Sequence, residues 1–404
     1  MADWGRIQKE ALTRYDSLPW PVRTDEEWRR TDPALLPSPM PPKTGPAPFR
    51  VGFEPVDPGL IQRGVILTDL ETARRQFPAL VERYLYEAGP PQGLMKFVAL
   101  HQAFSTQGIF CYVPEGVKVE VPLRSWVEAA ASAATFFPHV LLVAEANAEV
   151  TLIDERRPVP ADPTSGALRL KEASQGASAL CDEMTEIFVK PGAVVHYTRL
   201  QQWGTQMTEL FSQRAVLESN AQFLNIHLAL GGRLVKSNLE TTLAGDGARS
   251  ELLGILLGEA RQHFDTHTLQ DHQAPHTFSD LLYKSALAGQ AQSIYTGLIR
   301  IAKQAQKSDA YQANRNLLLS QGATADSIPM LEIEADDVRC THGVAVGPVD
   351  EDQAFYLMSR GLSRPEAERL IVEGFFDPVF RRIPTEDLRD LLLTEVRRRM
   401  NSDG

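Results

Sequence analysis

The residues best suited to chemistry are Cys340 and His342, one residue apart in the stretch from Asp336 to Gly361, DDVRCTHGVAVGPVDEDQAFYLMSRG. On an extended strand, residues i and i+2 point to the same face, so a thiolate and an imidazole there could share one metal ion or one partner. Two such donors make half of a four-ligand site, and both suit iron or zinc. A second group by spacing is His263, His267, His272 and His276. Even separations put His263 with His267, and His272 with His276, on common strand faces. The turn residues of DHQAPHTFSD favour a structural use: His272, His276 and Asp280 read as a corner motif whose side chains satisfy backbone groups. Nucleotide motifs fail. GGRLVKS (Gly231 to Ser237) has Val235 where a phosphate loop needs Gly before Lys236, and GDGARS (Gly245 to Ser250) lacks the third Gly of a dinucleotide loop. With no GxSxG either, no residue is assigned a catalytic role.

The Cys340 strand lies at a change of architecture. A turn at Gly347-Pro348 leads to Asp350 and Gln353, a capping-box spacing, then to apolar Ala354, Phe355, Leu357 and Met358 before Gly361. Ser363 with Glu366 opens a second helix that Gly374 can stop, and Thr385 opens a third with Leu388, Leu391, Leu392 and Val396 inward. Upstream, from about Phe97, short apolar runs alternate with corners such as VPEGV, KPGAV and GDGA and no long helix intervenes, which favours an all-β core. Sandwich, barrel and solenoid all fit this texture, and a span of about 240 residues with weak internal similarity favours a solenoid. The polar run Arg156 to Gly176 reads as a loop off one coil. The first ninety or so residues read as helical, with one helix-like run from Thr68 to Ala88 and a Pro-rich extended arm from Leu35 to Phe49. The expected organisation is therefore a helical domain with a Pro-rich linker over 1–95, a β core over 96–346 and a helical domain over 347–404.

Composition narrows the function. The 404 residues are 43% apolar and 23% charged, as in ordinary globular proteins, and the net charge of -11 argues against a nucleic-acid binder. No apolar run approaches the roughly 18 residues that span a bilayer, and the N-terminus shows no apolar signal core, so neither membrane nor export is expected and the cytoplasm is. Three widely spaced cysteines without a CxxC argue against a disulfide framework. They also cannot supply a four-thiolate cluster from one copy, so a lone chain is expected to hold no cofactor stably. Any stable cluster would need other ligand types or another subunit.

The runs DDVRCTHG and DEDQAFYLMSRG, together with DHQAPHTFSDLLYKSAL (Asp271 to Leu287) and LPWPVRTDEEW (Leu18 to Trp28), resemble the SufB/SufD family of the bacterial Suf iron-sulfur cluster assembly machine. The CTHG wording is similar to the SufD branch. SufB carries a His-Glu pair just after that position, where this chain has Gly343-Val344-Ala345. The resemblance covers nearly the whole chain. It implies a right-handed parallel β-helix core flanked by helical domains, and a scaffold rather than an enzyme. It also implies pairing with a SufB-like paralogue and a C-terminal helical region that docks the SufC ATPase, with Phe355, Tyr356, Arg360, Phe375 and Phe376 as candidate contacts, although Phe375 and Phe376 either pack on the core or form that docking surface. Cys340 and His342 would lie at the paralogue interface and take part in nascent cluster assembly. A homodimeric metal-binding β-helix protein is the alternative, and a β-helical enzyme acting on polysaccharide stands further behind.

Overall fold

The computed structural model describes residues 4–37, 49–89, 93–129, 135–159 and 179–401. Among them the strands form two sheets, of nine and ten strands, between which the chain alternates. In the nine-stranded sheet, consecutive strands begin at Val194, Gln222, Arg249, Phe278, Asp309 and Arg339, 27 to 31 residues apart, each in parallel register with the next. Between them lie strands of the second sheet beginning at Met207, Leu234, His263, Gln292 and Thr324. One strand in each sheet per coil makes a parallel β-solenoid; sandwich and barrel are set aside. The corners turn through left-handed backbone. Gly247 has φ +72°, and a Cβ there would sit 2.6 Å from Asn220 Oδ1 of the coil before, so the coils stack only without a side chain at that point.

Strand residues alternate between an inward face and an outward one, and the inward face changes character along the axis. The early coils enclose an apolar cluster that includes Val127, Leu152, Ile187, Val195 and Leu217. Within the same coils a charged network is sealed from water: Arg156 bonds Asp154 and Glu183, and Arg199 bonds Glu183 and Glu209, at 2.6–2.9 Å. The expected loop from Arg156 is thus corrected at its start, because Arg156 belongs to the strand Glu149–Pro158 and is fully buried. The rest of that stretch, 160–176, lies outside the described residues.

The N-terminal region is not purely helical, as expected, but adds a strand to each sheet. Phe49–Phe53 pairs antiparallel with Leu123–Ala129, and Ile66–Asp69 pairs antiparallel with Gly108–Val113. Around them are α1 (Trp4–Ser17), α2 (Pro58–Gln62), α3 (Leu70–Gln76), α4 (Pro78–Tyr84) and α5 (Met95–Phe104). The single helix expected over Thr68 to Ala88 is split at Phe77, because Pro78 has no N–H to continue α3 and instead opens α4. Most of the Pro-rich arm, 38–48, lies outside the described residues.

After the last strand come α6 (Glu351–Ser359), α7 (Arg364–Phe380) and α8 (Glu386–Asn401). Asp350 caps α6 by accepting from the N–H groups of Asp352 and Gln353, Gly361 follows at φ +97°, and the Ser363–Glu366 capping box opens α7. Gly374 does not stop α7, which runs on through Pro378. The reason is packing: Val372, Phe376, Val379 and Phe380 of α7 join Leu388, Leu392 and Val396 of α8 against Leu228, Leu253 and Ile255 on the outer face of the nine-stranded sheet. Burial of that many apolar side chains, each contributing about 1.5–3 kcal/mol, outweighs the roughly 1 kcal/mol that a glycine costs a helix.

Candidate functional site

The two sheets end differently at their two ends. Thr324–Ile333 and Arg339–Pro348 are the last strands of the ten- and nine-stranded sheets, and each pairs on one side only. The register sets Cys340 opposite Ala310, His342 opposite Gln312, Val344 opposite Asn314 and Val346 opposite Asn316. Ala310, Gln312, Asn314 and Asn316 are buried inside the solenoid, so the four residues above them extend the interior columns by one step into solvent. Cys340 is half-buried beside Ile299, Ile301, Ala305, Ala310 and Ala335. His342 is exposed, and Val344 and Val346 are 45% and 44% exposed. The structure therefore places the two donors on one face, at an open mouth of the solenoid.

Burial, with the Asp309 carboxylate second, pushes the Cys340 thiol up to about 11. The sulfur is a thiol at neutral pH, and a metal that binds it must displace a proton. Cys340 and His342 have no third His, Cys, Asp or Glu donor among the described residues close enough to share one ion with them; the group of three that does meet that test is Cys181, Glu183 and Glu209, deep inside. Those two carboxylates are already held by Arg156 and Arg199, and burial raises the Cys181 thiol well above its usual value, so the donor set there suits a salt-bridge network rather than a cation. Cys111, also buried, is likewise a protonated core thiol.

Directly beneath the mouth is a layer of amides that the sequence alone does not reveal. Gln312 Nε2 donates to Gly297 O at 3.1 Å while its Oε1 has no partner, and Asn316 Nδ2 donates to Asn314 Oδ1 at 2.7 Å and to Ser327 Oγ at 3.2 Å. The signal was the period of two in Gln312, Asn314 and Asn316, which marks one strand face, but a polar face reads as exposed until a coil is known to cover it.

The remaining predicted residues fall into three places. His272 is buried between Thr277 Oγ1 at 2.8 Å and Ser279 Oγ at 2.9 Å, its pKa lowered to about 4 by burial. His276 stands on the next corner at φ +54°, 2.9 Å from Asp246, so these two do not share a strand face as their spacing suggested. Asp280 pairs at 2.9 Å with Arg382, which also holds Glu251, and so ties the helices to the solenoid. His263 and His267 do share an outward face with Asp265, where His263 meets Thr31 and His267 meets Asp265 at 3.0 Å, with Lys236 also on that carboxylate. On α6, Phe355 is 72% and Tyr356 56% exposed, and Arg360 lies over the Tyr356 ring. Phe376 is a correction: it is fully buried in the helix-solenoid cluster and offers nothing to a partner. Phe375 packs beside that cluster with Lys284 over its ring, so the exposed large apolar residues of the C-terminal helices are Phe355, Tyr356 and Met358 of α6 and Leu370 of α7, among the described residues.

Residues 127–375 match the family described as SUF system FeS cluster assembly, SufBD core domain, and residues 55–124 match the SufBD protein N-terminal region. Iron-sulfur cluster assembly protein SufD of Bacillus subtilis is 31% identical over 347 residues, 84% of this chain and 75% of that protein. SufB of the same organism is 31% identical over 324 residues, 80% of this chain and 66% of its own length. A SufBD family protein of Staphylococcus epidermidis is 29% identical over 336 residues, 83% of this chain and 69% of that one. Overall identity thus does not separate the two branches, but with a family match over most of the solenoid and relatives of this likeness, the chain belongs to the SufBD family of iron-sulfur cluster assembly proteins.

Proposed function

We propose that this chain is the SufD-type, non-ATPase scaffold subunit of a SufBCD-type complex, pairing with a SufB-like paralogue through its open mouth and docking a SufC-like ATPase through α6. The observation that carries the reading is the open mouth itself. Two ten-residue strands present unpaired backbone edges there, and edges of that length are normally covered, shortened or charged. A partner that continues both sheets would satisfy those edges and bury Val344 and Val346. It would also bring its own donors to Cys340 and His342. The cluster is the cargo, held between subunits; two donors from each chain complete a set that neither has alone, and separation of the chains removes half of it. The CTHG run with Gly343-Val344-Ala345 after it supports the SufD branch.

Phe355 and Tyr356 are the anchors proposed for the ATPase, because a large aromatic at 72% exposure gains by burial only if something covers it. The same two edges would also serve a second copy of this chain, since a two-fold axis can set one terminal strand against itself. Co-expression with a SufB-like and a SufC-like protein, and then iron and sulfide analysis of the purified complex, tests the assignment. Cys340→Ser and His342→Ala together should lower the cluster content of an intact complex; full content in the double variant contradicts the role of the mouth.

A further inference from the structure

The N-terminal chain crosses the outward face of the ten-stranded sheet on polar anchors. Lys236 Nζ donates to the carbonyl oxygen of Glu27 at 2.9 Å, Thr31 Oγ1 to Asp265 at 2.5 Å, and Arg233 Nη2 to the carbonyl oxygen of Leu35 at 2.7 Å. Between the turn Glu26–Trp28 and Thr324–Ile333, the last strand of that sheet, lies a cavity of about 380 Å³. Its floor follows the register. Asn238, His267, Thr296 and Ile328 stand side by side in one row across four strands, and Glu240, Leu269, Leu298 and Met330 in the next. The middle of the floor is therefore apolar, while its two sides are acidic, with Glu26 and Glu27 on the turn and Glu332 on the last strand.

Asn238, which lines this cavity, is 4% exposed and incompletely bonded. Its Nδ2 donates to Glu27 Oε1 at 3.3 Å, and because a carboxylate only accepts, that contact fixes which way the amide points. Its Oδ1 is then left with no hydrogen-bond partner among the described residues. A buried acceptor without a donor is costly, and an N–H from a ligand would satisfy it. The nearby cations are already matched: Lys236 by Asp265 at 2.6 Å, and Arg300 by Asp271 at 2.8 and 2.9 Å. The lining residues themselves set four carboxylates, Glu26, Glu27, Glu240 and Glu332, against the one guanidinium of Arg30. We propose that this cavity binds a linear aliphatic polyamine, with one terminal ammonium on Asn238 Oδ1 beside Glu27, the methylenes over Leu269, Leu298 and Met330, and the other terminal ammonium at Glu332. The spacing selects the class. Asn238 and Glu332 lie three strand spacings apart, about 14 Å. A single ammonium meets only one end of such a floor. A metal ion would find no three donors here close enough to share it, among the described residues.

Calorimetric titration of the full chain with spermidine tests the site, with n-butylamine as the single-ammonium control and about 0.1 M salt to screen attraction to the acidic chain as a whole. Spermidine is expected to bind saturably at one site, about tenfold tighter than butylamine. Asn238→Leu removes the unpaired acceptor and is expected to weaken spermidine about tenfold. Glu332→Gln, at an exposed position, is expected to weaken it about threefold. Should Asn238→Leu not fold, because it also loses the bond to Glu27, the butylamine comparison and Glu332→Gln decide. Absence of saturable spermidine binding overturns the proposal. So does equal affinity for butylamine, since the site would then recognise one ammonium only, and so does binding that neither substitution changes, which would be adventitious attraction of a cation to an acidic surface.

Discussion

The two ends of the solenoid answer the same physical problem in opposite ways. At the N-terminal end, Phe49–Phe53 and Ile66–Asp69 turn antiparallel across the first coils, and Phe49, Val65 and Leu67 seal an apolar interior. At the C-terminal end the strands stay parallel, at full length and uncovered, over an interior of amides, with Cys340 and His342 on the rim. A stack of coils can grow at either end, and antiparallel caps close one of them here. The flanking segments, more than the coils themselves, thus set the two ends apart. Helices α7 and α8 fold back along the outer face of the nine-stranded sheet and leave the mouth free.

That contrast can be broken from either side, and the largest effect is expected in the closed half. Glu183→Ala leaves Arg156 and Arg199 buried without their shared carboxylate, which should cost about 3–5 kcal/mol in urea unfolding. The same network predicts acid sensitivity. The two guanidiniums hold Glu183 down to about 2, so its contribution is present above the ordinary carboxyl value of 4.5 and is lost as pH falls from there through 2. An unchanged melting temperature in the variant would show that the closed half does not depend on this network.

At the open end the same kind of substitution should leave the fold alone and damage assembly. Val346→Lys, at a position 44% exposed in the free chain, should change stability by no more than about 0.5 kcal/mol yet prevent pairing with a SufB-like subunit. Pairing with unchanged affinity, read by sedimentation, would mean that the mouth is not the interface. A smaller and separate effect is expected on α6. Phe355→Ala should weaken ATPase docking by about 2 kcal/mol, roughly thirtyfold, without touching the paralogue interface. Smallest of all, Cys340→Ser should leave thermal stability of the lone chain within about 1 kcal/mol, because the thiol is only half-buried.

The difference between the ends also explains what could be read from the chain. The corners, strand lengths and helix caps are local signals, so the solenoid, Asp350, the Ser363–Glu366 box and the shared face of Cys340 and His342 were all legible. Arg156 was not: a charged residue next to Pro-rich sequence reads as loop, and its burial is tolerable only because Asp154 and, on the next strand of the facing sheet, Glu183 pair with it. The N-terminal strands were hidden for the same reason, since a five-residue run such as Phe49–Phe53 becomes a strand through its pairing with Leu123–Ala129. Phe376 was ambiguous because exposure depends on whether Gly374 ends α7, and tertiary packing carried the helix through. That the mouth is open could not be seen in the spacing of its residues. It results from the absence of a further coil after Pro348 among the described residues and from the way the helices fold back.

The central claim, that the open end is the surface by which this subunit joins its complex, is tested most directly by mass. Light scattering on an anaerobic sizing column would be applied to this chain co-expressed with SufB-like and SufC-like partners, beside Val346→Lys in the same setting. The account predicts a ternary mass for the wild type and loss of the paralogue alone from the variant, with the ATPase retained through α6. Elution of the wild-type chain by itself or as a homodimer, indifferent to both partners, would contradict it.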